Sequence, residues 1–147
     1  MKQILKQTAL AVCGGCLYLL LELLWRGRSH WTMALLGGLC FTLIGLLNEI
    51  LPWEMPLLLQ GVIGSVCIVT PLEFLTGCIV NLWLGWGVWD YSGLPLNLLG
   101  QICLPFALLW VPMAIGAVIL DDWLRWRWFC ESFPEYTLFR WKEEKRI

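Results

Sequence analysis

Four long apolar stretches, separated by short segments of polar and turn-forming residues, dominate the chain. They cover residues 4–25, 32–50, 56–84 and 96–120. A helix needs about 20 mostly apolar residues to cross a bilayer, so each stretch predicts one transmembrane helix. The third stretch is longer than one span requires, which predicts a tilted or broken helix. The expected fold class is therefore all-α, a polytopic membrane protein whose four-helix bundle forms one domain over residues 1–120.

A polar tail follows the fourth stretch over residues 121–147. It interleaves tryptophans with arginines and acids, a composition typical of the headgroup zone of a bilayer. We expect its first turns to continue the fourth helix, Pro134 to break that helix, and the remainder to lie along the inner leaflet. Nucleic-acid binding is not expected, because acidic residues interrupt the basic ones.

Composition and charge distribution support a membrane protein. Hydrophobic residues make up 59% of the chain and charged residues 14%, against about 25% charged residues in soluble domains. Six of the ten basic residues follow Leu120, and Lys2 and Lys6 lie near the N-terminus. Four spans put both termini on one side, so the positive-inside rule predicts that both are cytoplasmic. We expect a plasma-membrane protein whose first helix is retained rather than cleaved as a signal peptide.

Small residues within the apolar stretches predict close helix packing. The "CGGC" sequence at 13–16 has CxxC spacing, but its apolar setting favours packing residues over a redox motif. Gly37–Gly38, and Gly61 with Gly64, predict close approach of neighbouring helices. The seven cysteines imply no disulfide framework, and the single histidine offers no Cys/His pair with metal-ligand spacing.

Ionisable residues inside the apolar stretches are the candidate functional groups, because a charge within a bilayer needs a partner or a watery cavity. Glu22 and Arg26 are spaced for an ion pair at the end of the first helix, and His30 lies four residues further on. This triad either ends the helix as a solvated ion pair or forms one wall of a polar pocket. Glu73 has no base near it in sequence, and we expect it to contact Arg26 across the bundle.

Polar residues near the loop between the third and fourth stretches extend this candidate pocket. Asn97 and Gln101 are expected on one face of the fourth helix, where they either join the pocket or only bond neighbouring helices. Asp90 is expected at the membrane surface, where it starts a turn through Ser92. The predicted substrate or ion pocket comprises Glu22, Arg26, His30, Glu73, Asp90, Asn97 and Gln101.

Residues at the membrane surfaces give two further expectations. Trp83, Trp86 and Trp89 predict an aromatic belt where the third helix leaves the bilayer. Glu49, near the end of the second helix, is expected to be a solvated interfacial acid.

Two short motifs carry a resemblance to a known family. They read "EFLTG" and "WDYS" and contribute Glu73, Phe74, Thr76, Gly77, Trp89, Asp90, Tyr91 and Ser92. Together with Glu22 and "ALLGGLCF" earlier in the chain, they resemble the type IV ABC-transporter permease family (CmpB-like), whose block also occurs in a small vertebrate transmembrane-protein family. The resemblance covers most of residues 8–120. It implies a multi-pass helical membrane protein of a transporter type.

The leading hypothesis is a small transport or channel-like subunit with an outer polar pocket around Glu73. The chain shows no ATP-binding motif and no EAA-type loop, and its small size implies a homo-oligomer or a partner membrane protein. The alternative is a non-transporting scaffold or regulator, whose buried polar residues only hold the helices together. A hydrated route to Glu73 would favour transport. A sealed Glu73–Arg26 pair would favour the scaffold. An enzyme is not expected, because no nucleophile–base pair is visible, and no cofactor is expected.

Overall fold

The computed structural model describes residues 2–51 and 55–139, most of which are helical. Its elements are α1 (Lys2–Arg26), α2 (Trp31–Ile50), α3 (Leu57–Trp83), the strands β1 (Asn97–Leu98) and β2 (Ile102–Cys103), and α4 (Leu104–Phe129). By length and composition α1, α3 and α4 could each cross a membrane, and α2 contributes a shorter apolar stretch. The predicted architecture of four helices is confirmed.

Glycines allow α1 and α2 to pack as a close antiparallel pair. Gly15 lies against the backbone carbonyl of Ala34, and Gly38 lies against that of Ala11. A Cβ atom at either glycine would overlap the facing backbone, so a larger residue would force the helices apart. The close approach predicted from Gly37–Gly38 is confirmed.

Helix α3 is continuous but is widened in two places. Gly64–Val69 and Cys78–Trp83 adopt π-helical hydrogen bonding on either side of the α-helical segment Thr70–Gly77. Pro71 has no N–H group to give to the preceding turn, which accounts for the first widening. The helix that the sequence predicted as tilted or broken is therefore continuous but locally widened, and Glu73 lies between the two widened segments.

The fourth helix begins later than the sequence predicted. Residues 96–103 are a short antiparallel hairpin in which Asn97 pairs with Cys103. Leu96 and Leu99 have positive φ angles of 51° and 52°, which a helix does not allow. The helix starts at Leu104, so the predicted start at residue 96 was wrong. Its continuation to Phe129 confirms the expectation that the first turns of the tail extend this helix.

The segment that follows α4 returns to the start of α3. The backbone N–H groups of Leu57 and Leu58 donate to the carbonyls of Thr137 (2.8 Å) and Leu138 (3.2 Å). These are N–H groups of the first helical turn, which have no partner within a helix. The predicted break at Pro134 is wrong, because α4 already ends at Phe129. Residues 140–147 of the predicted interfacial tail lie outside the described residues.

Exposed tryptophans mark both ends of the bundle. The end that holds the α1–α2 turn and the 84–103 loop, here called the hairpin end, exposes Trp25, Trp31 and Trp83. The opposite end, here called the terminal end, holds Lys2 and Phe129 and exposes Trp123, Trp126 and Trp128. Two tryptophan-rich ends separated by an apolar surface are the arrangement expected of a bundle that crosses a bilayer.

Candidate functional site

Glu73 is the most deeply buried acid of the hairpin half of the bundle. Its side chain is 2% exposed. The hydroxyl of Tyr91 donates to Oε1 at 2.9 Å, and the indole Nε1–H of Trp110 donates to Oε2 at 2.9 Å. The predicted contact with Arg26 is wrong, because two neutral donors occupy both carboxyl oxygens and Arg26 bonds elsewhere.

The predicted triad at the end of α1 forms only in part. Arg26 pairs with Glu22 as its spacing predicted, and its Nη1 also donates to the carbonyl of Val88 at 3.4 Å. His30 instead caps the start of α2, where its Nδ1 lies 2.8 Å from Oγ1 of Thr32. This part of the candidate pocket therefore joins α1 to the loop rather than surrounding Glu73.

The two amides of the predicted pocket are not on a helix face. Gln101 is buried in the hairpin, where its Oε1 accepts from Nδ2 of Asn81 at 2.8 Å. Asn97 is exposed and bonds within the loop, with its Nδ2 2.8 Å from the carbonyl of Leu94. The prediction failed because these residues precede the true start of α4 and belong to a turn.

Asp90 lies on the surface, as the sequence predicted, and starts a turn. Its Oδ1 accepts from the backbone N–H of Ser92 at 2.8 Å. Hydrogen bonds from the backbone and side chain of Ser92 hold the pKa of Asp90 below its usual value, because they stabilise the carboxylate. Asp90 therefore shapes the loop and does not reach Glu73.

The two short motifs meet in space. Trp89 is 4% exposed, and its indole Nε1–H donates to the carbonyl of Gln101 at 2.9 Å. Its ring packs on Gly77, where a Cβ atom would lie 3.0 Å from it and 2.6 Å from Oε1 of Gln101. Tyr91 reaches Glu73 and stacks on Phe106 at 4.7 Å between ring centroids. These contacts hold the 84–103 loop, here called the cap, against α3 and α4. Trp89 is a core residue rather than part of the predicted aromatic belt.

A cavity of about 320 Å³ lies among all four helices, with Glu73 on its wall. The polar side chains that line it are those of Tyr18, Cys40, Glu73 and Trp110, and the rest of the lining is apolar or glycine. Glu73 is the one predicted site residue on this wall. The cavity is therefore mostly apolar and has a carboxyl group at one point.

Comparison with known proteins identifies the family. Residues 15–138 match the protein family described as "Putative ABC-transporter type IV". The chain belongs to this family. The matched region includes both short motifs, most of the four helices and every residue that lines the cavity except Gly14. Comparison with curated proteins and with solved structures found no match.

Family membership and the long apolar helices together indicate an integral membrane protein of a transporter-related type. Lipid then surrounds the exposed apolar side chains of the helices. Within residues 2–51 and 55–139, no three His, Cys, Asp or Glu side chains come together as metal ligands.

A second polar cluster, at the terminal end, was not predicted from the sequence. Asp121 is 0% exposed and accepts from Nε of Arg125 at 2.5 Å. Nη1 of Arg125 also donates to Glu49 at 2.7 Å, so the acid that was expected to be only solvated has a partner. The Asp121–Arg125 spacing of four residues is the same signal that identified Glu22–Arg26. It was overlooked because this stretch was assigned to the tail.

The same cluster holds the segment that follows α4. Lys6 pairs with Glu131, and the hydroxyl of Tyr136 donates to Asp122. Burial, together with its bond to Asp122, raises the pKa of the Tyr136 hydroxyl well above its usual value. These contacts tie α1 and the C-terminal segment to the terminal end of α4.

Proposed function

We propose that this chain is the membrane subunit of a transport system, and that the cavity beside Glu73 is its solute site. One observation carries the proposal: a buried carboxyl group lies on the wall of a cavity and has only neutral donors among the described residues. Ionisable residues at membrane depth that are not neutralised by a partner typically mark solute or proton pathways.

The proposed site is smaller than the outer pocket that the sequence suggested. Glu22, Arg26, His30, Asp90, Asn97 and Gln101 support the loop and helix ends around it. We assign the polar contact with the solute to Glu73, and the apolar contacts to the facing sides of α1, α2 and α4.

A non-transporting scaffold or regulator is the second candidate function. It is favoured by the complete pairing of Glu73, whose two oxygens each accept a hydrogen bond from the cap or from α4. In that case Glu73 only anchors the 84–103 loop. The Glu73–Arg26 ion pair that would have been the strongest support for a scaffold does not form.

The setting of this subunit is part of the proposal. We propose that it resides in the plasma membrane with both termini in the cytoplasm, because most basic residues lie near the two ends of the sequence. It would act as a homo-oligomer or with a partner membrane protein, and it would have no catalytic activity of its own. Impermeant labelling of the exposed Cys130 from each side of the membrane tests the orientation.

Solute flux through reconstituted protein tests the transport proposal. Wild type and Glu73→Gln are placed in vesicles and screened against ions and small solutes. We expect wild type to show a flux that Glu73→Gln reduces at least tenfold, because the amide keeps the shape of the side chain and removes its charge. A folded wild type without any flux would favour the scaffold.

A cavity-filling pair of variants tests the location of the site. Gly116 lines the cavity, and a Cβ atom at this position meets no atom within 4 Å. Gly116→Ala is therefore the matched control and should leave the flux unchanged. Gly116→Leu extends into the cavity and should abolish the flux without unfolding the protein. Equal flux in both variants would place the solute path elsewhere.

A further inference from the structure

The charge on the cavity wall restricts what the cavity can bind. Glu73 is the acid among the lining residues, and none of them is Lys, Arg or His. Arg26, a cation of the same half, is already paired with Glu22. A buried carboxylate without a cation is strongly destabilised unless it takes up a proton or gains a cationic partner. An anionic solute would worsen this imbalance, whereas a cationic one would relieve it.

Two aromatic rings lie beside the carboxyl group. Tyr18 and Trp110 both line the cavity, and their rings stack with centroids 5.9 Å apart and planes 30° apart. Trp110 also donates to Glu73, so the rings and the carboxyl group form one continuous wall. The face of an aromatic ring attracts organic cations, most strongly where water is excluded.

The remaining walls exclude a bare metal ion as the occupant. Calcium takes six to eight oxygen ligands, and magnesium takes about six. The side-chain oxygens on the cavity wall are those of Glu73 and the hydroxyl of Tyr18. Leu17, Leu36 and Met113 are typical of the other lining residues and suit an apolar body. The wall thus combines one anionic point, an aromatic face and an apolar interior.

We propose that the cavity binds a lipophilic organic cation, in which a positively charged ammonium group is attached to an apolar body. The ammonium group lies against the wall that Glu73 forms with the Tyr18–Trp110 pair, and the apolar body fills the space towards α2 and α4. This inference rests on the proposed function, because it names the class of solute for the same site.

Binding of three matched probes to the full-length protein in lipid nanodiscs tests the inference. The probes are benzyltrimethylammonium, its neutral carbon isostere neopentylbenzene, and the anion phenylmethanesulfonate. Calorimetric titration of the ammonium probe, with the other two as competitors, gives the order of affinity. We expect the cation to bind at least tenfold more tightly than either competitor, which is about 1.4 kcal/mol at 25 °C.

Three variants test whether the preference for the cation arises at the cavity beside Glu73. Glu73→Gln should weaken binding of the cation at least tenfold, and Gly116→Leu should abolish it by filling the cavity. Glu22→Gln removes an acid of the same half that does not line the cavity, so the affinity should change less than threefold. Thermal unfolding of each variant shows whether the fold is kept, and a variant that unfolds is replaced by Tyr18→Leu, which removes one ring of the aromatic wall and should weaken binding of the cation at least threefold.

The outcomes separate this inference from the proposed function. If the neutral isostere binds as tightly as the cation and Glu73→Gln changes nothing, the cation preference is wrong while the cavity remains a solute site. If no probe binds to the wild type, the inference is also wrong. The proposed function is judged by flux in the Gly116 pair of variants, which does not depend on any of these probes.

Discussion

Arg125 is the side chain on which the terminal end of the bundle depends most. It is 4% exposed and bonds Asp121 within α4 and Glu49 on α2. Substitution Arg125→Met keeps an unbranched apolar stem but removes the guanidinium group, with its charge and all its donors. The variant leaves the carboxylate of Asp121 buried at 0% exposure without its cation.

The structure sets the expected cost of this substitution. Removing one partner of a buried ion pair costs about 3–5 kcal/mol, because the remaining charge is left without compensation. The bond to Glu49 adds little, since the side chain of Glu49 is 52% exposed and water can replace it. Loss of an exposed pair costs about 0.2–1 kcal/mol. Arg125→Met should therefore destabilise the protein by about 3–5 kcal/mol, and Glu49→Gln by less than about 1 kcal/mol.

Equilibrium unfolding in mixed micelles, with a rising fraction of denaturing detergent, measures both values through tryptophan fluorescence. The double variant Asp121→Asn with Arg125→Met is the decisive control. It removes the buried charge along with its partner, so it should be more stable than Arg125→Met alone by at least ~1 kcal/mol. Asparagine is chosen because Asp121 packs directly on Gly45, which leaves no room for a larger side chain.

Two results would refute this reasoning. Arg125→Met could cost no more than Glu49→Gln, which would mean that Asp121 is neutral or solvated rather than dependent on the guanidinium group. Alternatively, the double variant could be less stable than Arg125→Met, which would mean that the carboxylate is stabilised by other groups. Either result would remove the ion pair as the main stabiliser of the terminal end.

Three further predictions concern the cap. Gly77→Ala should destabilise the protein by about 1–3 kcal/mol through overpacking, and an unchanged thermal midpoint would contradict the packing. Tyr91→Phe removes one hydrogen-bond donor to Glu73, so it should lower the free energy of unfolding by about 1–3 kcal/mol. An unchanged free energy of unfolding would mean that this bond does not hold the loop. The pKa of Asp90 is lowered in the folded protein, so its carboxylate stabilises the turn at neutral pH. This stabilisation is lost as pH falls through the lowered pKa. The amide resonance of Ser92 should titrate below about pH 3.9, and a higher midpoint would be inconsistent with the bond.

The first three helices could be predicted closely from the sequence. The predicted spans 4–25, 32–50 and 56–84 differ from the observed helices by at most two residues at either end. Long apolar runs bounded by Arg, His or Pro predict helices with defined ends, because a backbone in lipid must satisfy its own hydrogen bonds. The two widened segments of α3 were not predictable, since π-helical bonding does not alter the apolar pattern.

The fourth span shows where hydropathy alone is insufficient. The stretch "LPLNLLGQIC" is as apolar as a helix, but it forms a hairpin held by turns at Leu96 and Leu99. Pro105, which lies in the first turn of α4, was the available signal for the true start. At the other end, charged residues suggested a tail, although tertiary pairing with Glu49 allows Asp121 and Arg125 to be buried in the helix.

The two ends of the bundle satisfy their buried acids in different ways, and only one of these acids has a cationic partner among the described residues. At the terminal end Asp121 has a cationic partner from its own helix, so its charge is already compensated. At the hairpin end Glu73 has Tyr91 and Trp110, which donate hydrogen bonds but contribute no charge. Hydrogen bonds fix the orientation of a carboxyl group, whereas only a proton or a cation neutralises it. The proposed preference of the cavity for a cation therefore rests on these two neutral contacts, which replace the expected contact with Arg26.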